Sequence, residues 1–109
     1  MPNVYTNAKK DLTSNGATVL YTAPALTTSI VKSIIVSEDS GNADTITVTI
    51  TDAEASPAVF SLFKTKSISA NGTTELLTSP IVVQTGEILK VTAATANRLH
   101  VVASILEVS

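Results

Sequence analysis

Residues 44–52, DTITVTITD, alternate between apolar and hydroxyl-bearing side chains without interruption. The apolar members are Ile46, Val48 and Ile50, and the hydroxyl-bearing members are Thr45, Thr47, Thr49 and Thr51. A period of two places these two sets on opposite faces of a β-strand. The pattern therefore predicts a strand whose apolar face lies in a core and whose other face consists of threonine.

Similar short segments, rich in β-branched residues, recur at spacings of about ten residues and are separated by clusters of turn formers. We count roughly seven or eight of them, among them residues 29–37 and 98–108. The one helix-like stretch, AEASPAVF, is short and is interrupted by Pro57. The chain is therefore predicted to be all-β, a single antiparallel β-sandwich, jelly-roll-like or Ig-like, with an extended N-terminal arm.

Turn signals along the chain predict how the strands are joined. The loop at 38–44 connects two predicted strands, which indicates a β-hairpin with a long connection. Asn71-Gly72 is the strongest signal for a two-residue hairpin in the chain. Pro80 separates two short apolar runs and indicates a sheet edge or corner.

The N-terminal segment differs from the rest in composition. Residues 1–16 are mostly polar and end in a turn signal, so we interpret them as an arm, and residues 17–109 as the β-sandwich domain. Tyr5 combines a rigid apolar body with a polar tip, a side chain common at protein interfaces. Lys9 and Lys10 provide a weak electrostatic contact. These side chains are candidate interface residues.

Composition excludes several classes of function. Only 15% of the residues are charged and the net charge is −2, so the chain lacks the basic footprint of a nucleic-acid-binding protein. It contains no cysteine, which excludes disulfides and thiolate metal sites. No apolar run is long enough to span a membrane, and the N-terminus has no apolar signal region. We expect a protein synthesised in the cytoplasm, with neither nucleic acid nor membrane as a partner.

Residues of the kind that carry catalysis or bind metals are few. His100 is the only histidine and lies between apolar residues of a predicted strand, where a catalytic role would require a nucleophile and an orienting carboxylate nearby. The acidic residues at 38–44 and 52–54 lie at opposite ends of one predicted strand and lack the spacing of a calcium loop. We interpret them as solvated loop charges, and we predict no catalytic residue, no cofactor and no metal site.

The threonine face of residues 44–52 has two interpretations. Threonine is favourable in any strand, so the face can simply be exposed to solvent. An uncharged face also suits contact with another protein, because charged groups buried at an interface must be desolvated. The low charge of the whole chain favours contact. The candidate interface residues therefore also include Thr45, Thr47, Thr49 and Thr51.

The segments VLYTAPALTTSIVKSIIVSE, ELLTSPIVVQTGEILKVTAA and RLHVVASILEVS together resemble small β-sandwich virion proteins of tailed bacteriophages. The resemblance lies in strand and turn residues and extends over residues 17–109. Members of this group occur as capsid cement (decoration) proteins and as accessory head or tail proteins. The resemblance implies a structural role without enzyme activity or cofactor. For a cement protein it further implies the major capsid protein as partner and a homotrimer on local three-fold axes.

Two functional hypotheses follow. The first is a cement protein on the capsid surface of a virion, which stabilises the head by binding across capsid subunits. The alternative is a tail or fibre accessory module that binds a receptor or a glycan. Glycan sites use exposed aromatic rings, but the chain has only two tyrosines, two phenylalanines and no tryptophan. Phe60 and Phe63 are expected in a core strand, so this scarcity favours the cement protein.

Overall fold

The computed structural model of the chain describes residues 3–54 and 56–108, and its regular structure is entirely β-strand. Over these residues the strands are β1 (Asn3–Asp11), β2 (Thr18–Thr22), β3 (Thr28–Glu38), β4 (Asp44–Thr51), β5 (Val59–Ile68), β6 (Thr73–Glu75), β7 (Ile81–Val83), β8 (Ile88–Ala93) and β9 (Leu99–Val108). The all-β prediction is confirmed. In the described part of the chain, no helix is long and apolar enough to cross a membrane.

The strands form two antiparallel sheets that pack together as a sandwich. The first sheet has the order β1-β9-β3-β6, and β7 also pairs with β3. The second sheet has the order β2-β8-β4-β5. Most connections carry the chain from one sheet to the other, whereas β4 and β5 follow one another in the same sheet and pair directly. The predicted antiparallel sandwich is confirmed.

Two of the predicted hairpins are wrong. The loop at 38–44 leads from β3 in the first sheet to β4 in the second, so the two strands do not pair. Asn71, with φ 55°, and Gly72, whose N–H donates to the Ser69 carbonyl, do form a turn, but it joins β5 of the second sheet to β6 of the first. A turn signal encodes a local chain reversal, whereas the choice of sheet depends on tertiary packing. Pro80 does lie at a sheet edge, between β6 and β7.

The core lies between the sheets and includes the apolar face of β4. Ile46 and Val48 are fully buried, as the alternating pattern predicts. Val48 lies opposite Val91 of β8 and Phe63 of β5. The alternation weakens at the end of β4, where Ile50 is only partly buried and Thr51 is buried.

The segment interpreted as an arm is, over its described part, an edge strand of the first sheet. β1 pairs with β9 without a register shift, from Asn3 opposite Val108 to Asp11 opposite His100. Leu12, directly after the strand, is 1% exposed and belongs to the core. The segment is therefore extended but attached to the sandwich, and the division of the chain at residue 16 stays a prediction.

Candidate interaction surface

The outer face of the first sheet carries a row of apolar side chains. The register places Tyr5 of β1 opposite Leu106 of β9, Leu106 opposite Ile30 of β3, and Ile30 opposite Val82 of β7. Their neighbours Val31 and Ile105 are buried, so these side chains point away from the core. Tyr5 is 73% exposed and Val82 is 52% exposed. The row gives one side of the sandwich an apolar character from edge to edge.

A second apolar pair lies on the same face, where Ile35 of β3 is opposite Val102 of β9 and both side chains are 39% exposed. A polar row of Asn7, Ser104 and Ser33 separates the pair from the apolar row. Clustered exposed apolar side chains on one face of a protein mark a site of interaction with another molecule. We name this set the apolar face, and it consists of Tyr5, Ile30, Ile35, Val82, Val102 and Leu106.

Tyr5 also borders a groove on the apolar face. The Lys32 ammonium lies 6.0 Å from the centroid of the Tyr5 ring, at the outer range of a cation–π contact. The register of β3 shifts between Val31 and Ser33, so Lys32 sits in the irregularity of the strand. Together with Asn7 and Ser104, these two side chains line a groove of about 370 Å³. The groove combines an exposed aromatic ring with polar groups.

The two lysines proposed as interface residues point in opposite directions. Tyr5 and Lys9 are four residues apart in β1 and share the outer face, where Lys9 is opposite Val102. Lys10 has the alternate orientation, on the side of the sheet that faces the sandwich, yet its side chain is exposed because β1 is an edge strand. The structure thus brings Tyr5 and Lys9 onto one surface but not Lys10.

The threonine face lies on the outer side of the second sheet, on the opposite side of the molecule from the apolar face. Thr47 has an internal role, because its hydroxyl oxygen accepts a hydrogen bond of 3.0 Å from the Thr65 N–H. Thr49 is opposite Lys90 of β8. Thr45, Thr47 and Thr49 are half-buried and Thr51 is buried. The proposed interface residues therefore do not share one surface, and contact through the threonine face stays a prediction.

The interpretation of the acidic residues as solvated charges is wrong for Glu38, which is 2% exposed. Its carboxylate accepts backbone hydrogen bonds from Ser40 (2.6 Å), Gly41 (3.1 Å) and Asn71 (2.8 Å). Burial acts to raise the pKa of Glu38, but these bonds and one from the Ser40 hydroxyl lower it to about 2. Glu38 thus links the loop that follows β3 to the turn that contains Asn71. A signal was present in the sequence, because the period of two places Glu38 on the buried face with Val36.

Asp44 and Asp52 also brace loops, and the interpretation as a solvated charge is wrong for Asp44 too, because its side chain is only 8% exposed. Asp44 Oδ2 accepts a hydrogen bond of 3.0 Å from the Thr95 N–H, and Asp52 Oδ1 accepts one of 3.0 Å from the Ala58 N–H. The two loops lie at opposite ends of β4, as predicted from the sequence. Throughout residues 3–54 and 56–108, no group of three or more histidine and acidic side chains is placed to hold a metal ion.

Tyr21 and Glu75 form polar contacts that the sequence reasoning missed. The Tyr21 hydroxyl of β2 hydrogen bonds to the Ser29 hydroxyl at 2.7 Å and donates to the Glu107 carboxylate, so it ties the second sheet to the first. Burial, followed by the bond to Glu107, raises the pKa of Tyr21 to about 12. Burial acts to raise the pKa of Glu75, but bonds from the Ser33 hydroxyl and two backbone N–H groups lower it.

His100 lies on the outer face of β9 between two carboxylates. Its Nε2 is 3.2 Å from Asp11 Oδ1, and its Nδ1 is 3.5 Å from Asp39 Oδ2. The fold thus supplies carboxylates that the sequence spacing did not indicate. Both ring nitrogens lie near these carboxylates, whereas a base that activates a nucleophile needs one nitrogen next to the nucleophile. This geometry fits a link between β1 and the loop after β3.

Phe60 is exposed, so its expected place in the core is wrong. The side chain is 54% exposed and follows Val59, which is 62% exposed, on β5. β5 is an edge strand of the second sheet, and its register against β4 shifts twice. Phe63 does pack against the core as predicted.

No protein-family model matches the chain, and no curated protein sequence matches it. Among solved structures, it is similar to a chain in the acidic stable capsid structure of the Helicobacter pylori bacteriophage KHP30, with a TM-score of 0.56, 13% identity, and coverage of 97% of this chain and 87% of that one. A chain in the VLP structure of the extra small virus of the giant freshwater prawn Macrobrachium rosenbergii gives a TM-score of 0.43 at 15% identity, covering 97% and 77%. The first likeness shows that this β-sandwich is a fold found in a phage capsid.

Proposed function

We propose that the chain is a structural protein of a bacteriophage virion, a capsid cement (decoration) protein that stabilises the head by binding across capsid subunits. It is synthesised in the host cytoplasm and lies on the capsid surface, as a homotrimer bound to the major capsid protein. The apolar face is the observation that carries this proposal. The fold shared with a chain of a phage capsid supports it.

The apolar face has the chemistry of a protein interface. The apolar row and the apolar pair carry no charge themselves, and charged groups lie beside them. Lys9 and Glu75 flank the pair of Ile35 and Val102 in one cross-strand row. Lys32 lies between the pair and the row that contains Tyr5. Apolar side chains interspersed with polar and charged groups are common in protein–protein contacts. A stable contact buries roughly 800 Å² on each partner, and apolar area contributes about 25 cal/mol per Å² removed from water. A capsid subunit that covers this face gains that contribution.

The groove beside Tyr5 favours one other function, the binding of a receptor or a glycan by a tail or fibre module. An aromatic ring that is 73% exposed lies next to Asn7, Lys32 and Ser104, and sugar faces stack on rings of this kind. The same ring belongs to the apolar face, so the two functions make different use of one surface.

The copy number of the chain in purified virions tests the proposal. Quantitative mass spectrometry against the major capsid protein should give a ratio near one if the chain decorates the whole shell. A handful of copies per particle would instead favour the tail or fibre module. Complete absence from particles would refute the virion role.

A charge placed on the apolar face tests which surface makes the contact. We expect Val102→Asp to reduce the occupancy of the chain on particles at least tenfold, because the introduced carboxylate must be desolvated in the contact. Val19→Asp is the matched control, since Val19 is similarly exposed, at 44%, but lies on the second sheet. Loss of binding by the control alone would place the contact on the opposite surface, which carries the threonine face.

A further inference from the structure

The outer edge of β1 is a long, regular and uncovered strand edge. β1 pairs with β9 on one side, and within residues 3–54 and 56–108 no strand pairs with its other side. The strand has no proline and no register shift over Asn3–Asp11. Proteins usually protect such edges with proline, bulges, short strands or charged side chains, because an open edge is a template for another strand. Of these devices β1 has only Lys9, Lys10 and Asp11, which lie at one end. Here no strand covers the edge from Asn3 to Lys9, whereas the Asp11 carbonyl accepts a hydrogen bond of 3.0 Å from the Thr13 N–H.

The pairing with β9 shows which backbone groups of β1 face outward. Leu12 N–H donates to the Leu99 carbonyl at 3.0 Å, in continuation of the ladder between β1 and β9. In an antiparallel ladder, every second residue of a strand exchanges backbone hydrogen bonds with the strand on one side, and the residues between them face the other side. The residues that bond to β9 are therefore the even-numbered ones. Tyr5, Asn7 and Lys9 direct both their N–H and C=O groups to the open edge.

We propose that two copies of the chain pair through β1, antiparallel and related by a two-fold axis at Asn7. Asn7 then faces Asn7 of the second copy, and Tyr5 faces Lys9 of the second copy. The outward N–H and C=O groups of each β1 meet those of the other, so the two first sheets become one continuous sheet. A two-fold axis makes such a contact self-complementary and closed.

The distribution of charge along β1 favours antiparallel over parallel pairing of two copies. Lys9 and Lys10 lie together near one end of the strand, and the other end, from Asn3 to Tyr5, is uncharged. Antiparallel pairing places the lysines of one copy beside Tyr5 and Val4 of the other. A parallel pair in register would place lysine opposite lysine, which is destabilising. The proposed register also brings an ammonium group to an aromatic ring.

This contact uses only groups of the chain itself and requires no capsid. Combined with the proposed trimer, it would join neighbouring trimers. The purified full-length chain tests the inference without any particle, so a failure of the virion experiments leaves its result unchanged.

Disulfide trapping tests the register. Paired residues that exchange hydrogen bonds have Cα atoms about 5.5 Å apart, within the range of a disulfide. The chain has no native cysteine, so Asn7→Cys should form a covalent dimer under mild oxidation. Asn3→Cys, on the same face of the same strand, should stay monomeric on denaturing gels, because the two introduced thiols lie far apart. Equal cross-linking of both variants would overturn the proposal.

A proline at the same position tests the hydrogen bonding. Asn7→Pro removes an N–H that faces the open edge and none that bonds to β9, so β1 keeps its place in the sheet. Sedimentation velocity should show pairing at least tenfold weaker for Asn7→Pro, because two hydrogen bonds are lost across the axis. Asn7→Ala keeps the N–H and should pair like the unmodified chain. Equal pairing of the proline and alanine variants would overturn the proposal.

Amide hydrogen exchange tests the proposed pairing at individual residues of β1. The amides of Thr6 and Ala8, which bond to β9, should be protected at every protein concentration. The amides of Tyr5 and Lys9 should become protected only as the concentration rises. Fast exchange of Tyr5 and Lys9 at all concentrations would show that the edge stays open and would overturn the inference.

Discussion

Val48→Asp should unfold the domain, because it places a carboxyl group between the two sheets. Val48 is fully buried, and its neighbours across the strands are Val91 and Phe63, which offer the new group no hydrogen bond from a side chain. The buried carboxyl must therefore become neutral or draw water into the core. Either event opposes folding.

The magnitude follows from two contributions. Loss of the buried valine side chain costs about 1.5–3 kcal/mol. Keeping the carboxyl neutral at pH 7, about three pH units above its ordinary pKa, costs about 4 kcal/mol more. The total of about 6 kcal/mol compares with a stability of roughly 5–15 kcal/mol for a typical domain. The variant is thus expected to be unfolded or close to its unfolding threshold.

Urea unfolding at pH 7, followed by far-UV circular dichroism, measures the effect. The matched control is Thr49→Asp, one residue further along β4, where the side chain points outward and lies opposite Lys90. This control should change the free energy of unfolding by less than about 1 kcal/mol. Val48→Ala should cost about 2 kcal/mol. A Val48→Asp variant as stable as Thr49→Asp would refute the assigned orientation of β4.

Two further predictions concern buried polar contacts. Because the pKa of Glu38 is lowered from 4.5 to about 2, its carboxylate contributes fully above pH 4.5 and loses its contribution as the pH falls toward 2. Urea unfolding between pH 7 and 2 should therefore show a smaller acid-induced loss for Glu38→Gln, and an unchanged loss would contradict the assignment. Tyr21→Phe should cost about 1–3 kcal/mol in the same assay at pH 7, because the Ser29 and Glu107 side chains lose their partner. This deficit should persist up to pH 10 and shrink toward pH 12, where the raised pKa of Tyr21 lets the phenol ionise. Tyr5→Phe is the control and should be neutral, and equal costs for the two variants would refute the role of the Tyr21 hydroxyl.

Strands in which apolar and polar side chains alternate regularly could be predicted from the sequence, and β4 is the clearest case. Its apolar residues face the core because the period of two is a property of the extended chain itself. The same periodicity extends to Glu38 at the end of β3. The prediction failed there because a charged residue next to turn formers was assigned to solvent, although backbone N–H groups from two loops satisfy its carboxylate.

The sheet partners could not be predicted, because they depend on contacts between distant segments. β1 shows the reason most directly. Its sequence, NVYTNAKKD, lacks a buried apolar face, so no local pattern marks it as a strand, and its pairing with β9 makes it one. The apolar face has the same origin, since Tyr5, Ile30, Val82 and Leu106 become neighbours only when the strands are placed side by side.

The position of β9 between β1 and β3 also governs when the first sheet can form. β1 is synthesised first of the described strands, yet its partner spans Leu99–Val108, so about ninety residues must follow before the two can pair. During synthesis, β3 likewise lacks the neighbour that covers one of its edges. The first sheet can therefore form only after β9 has left the ribosome. Until then, the apolar segments of the first sheet must be kept from associating with other chains.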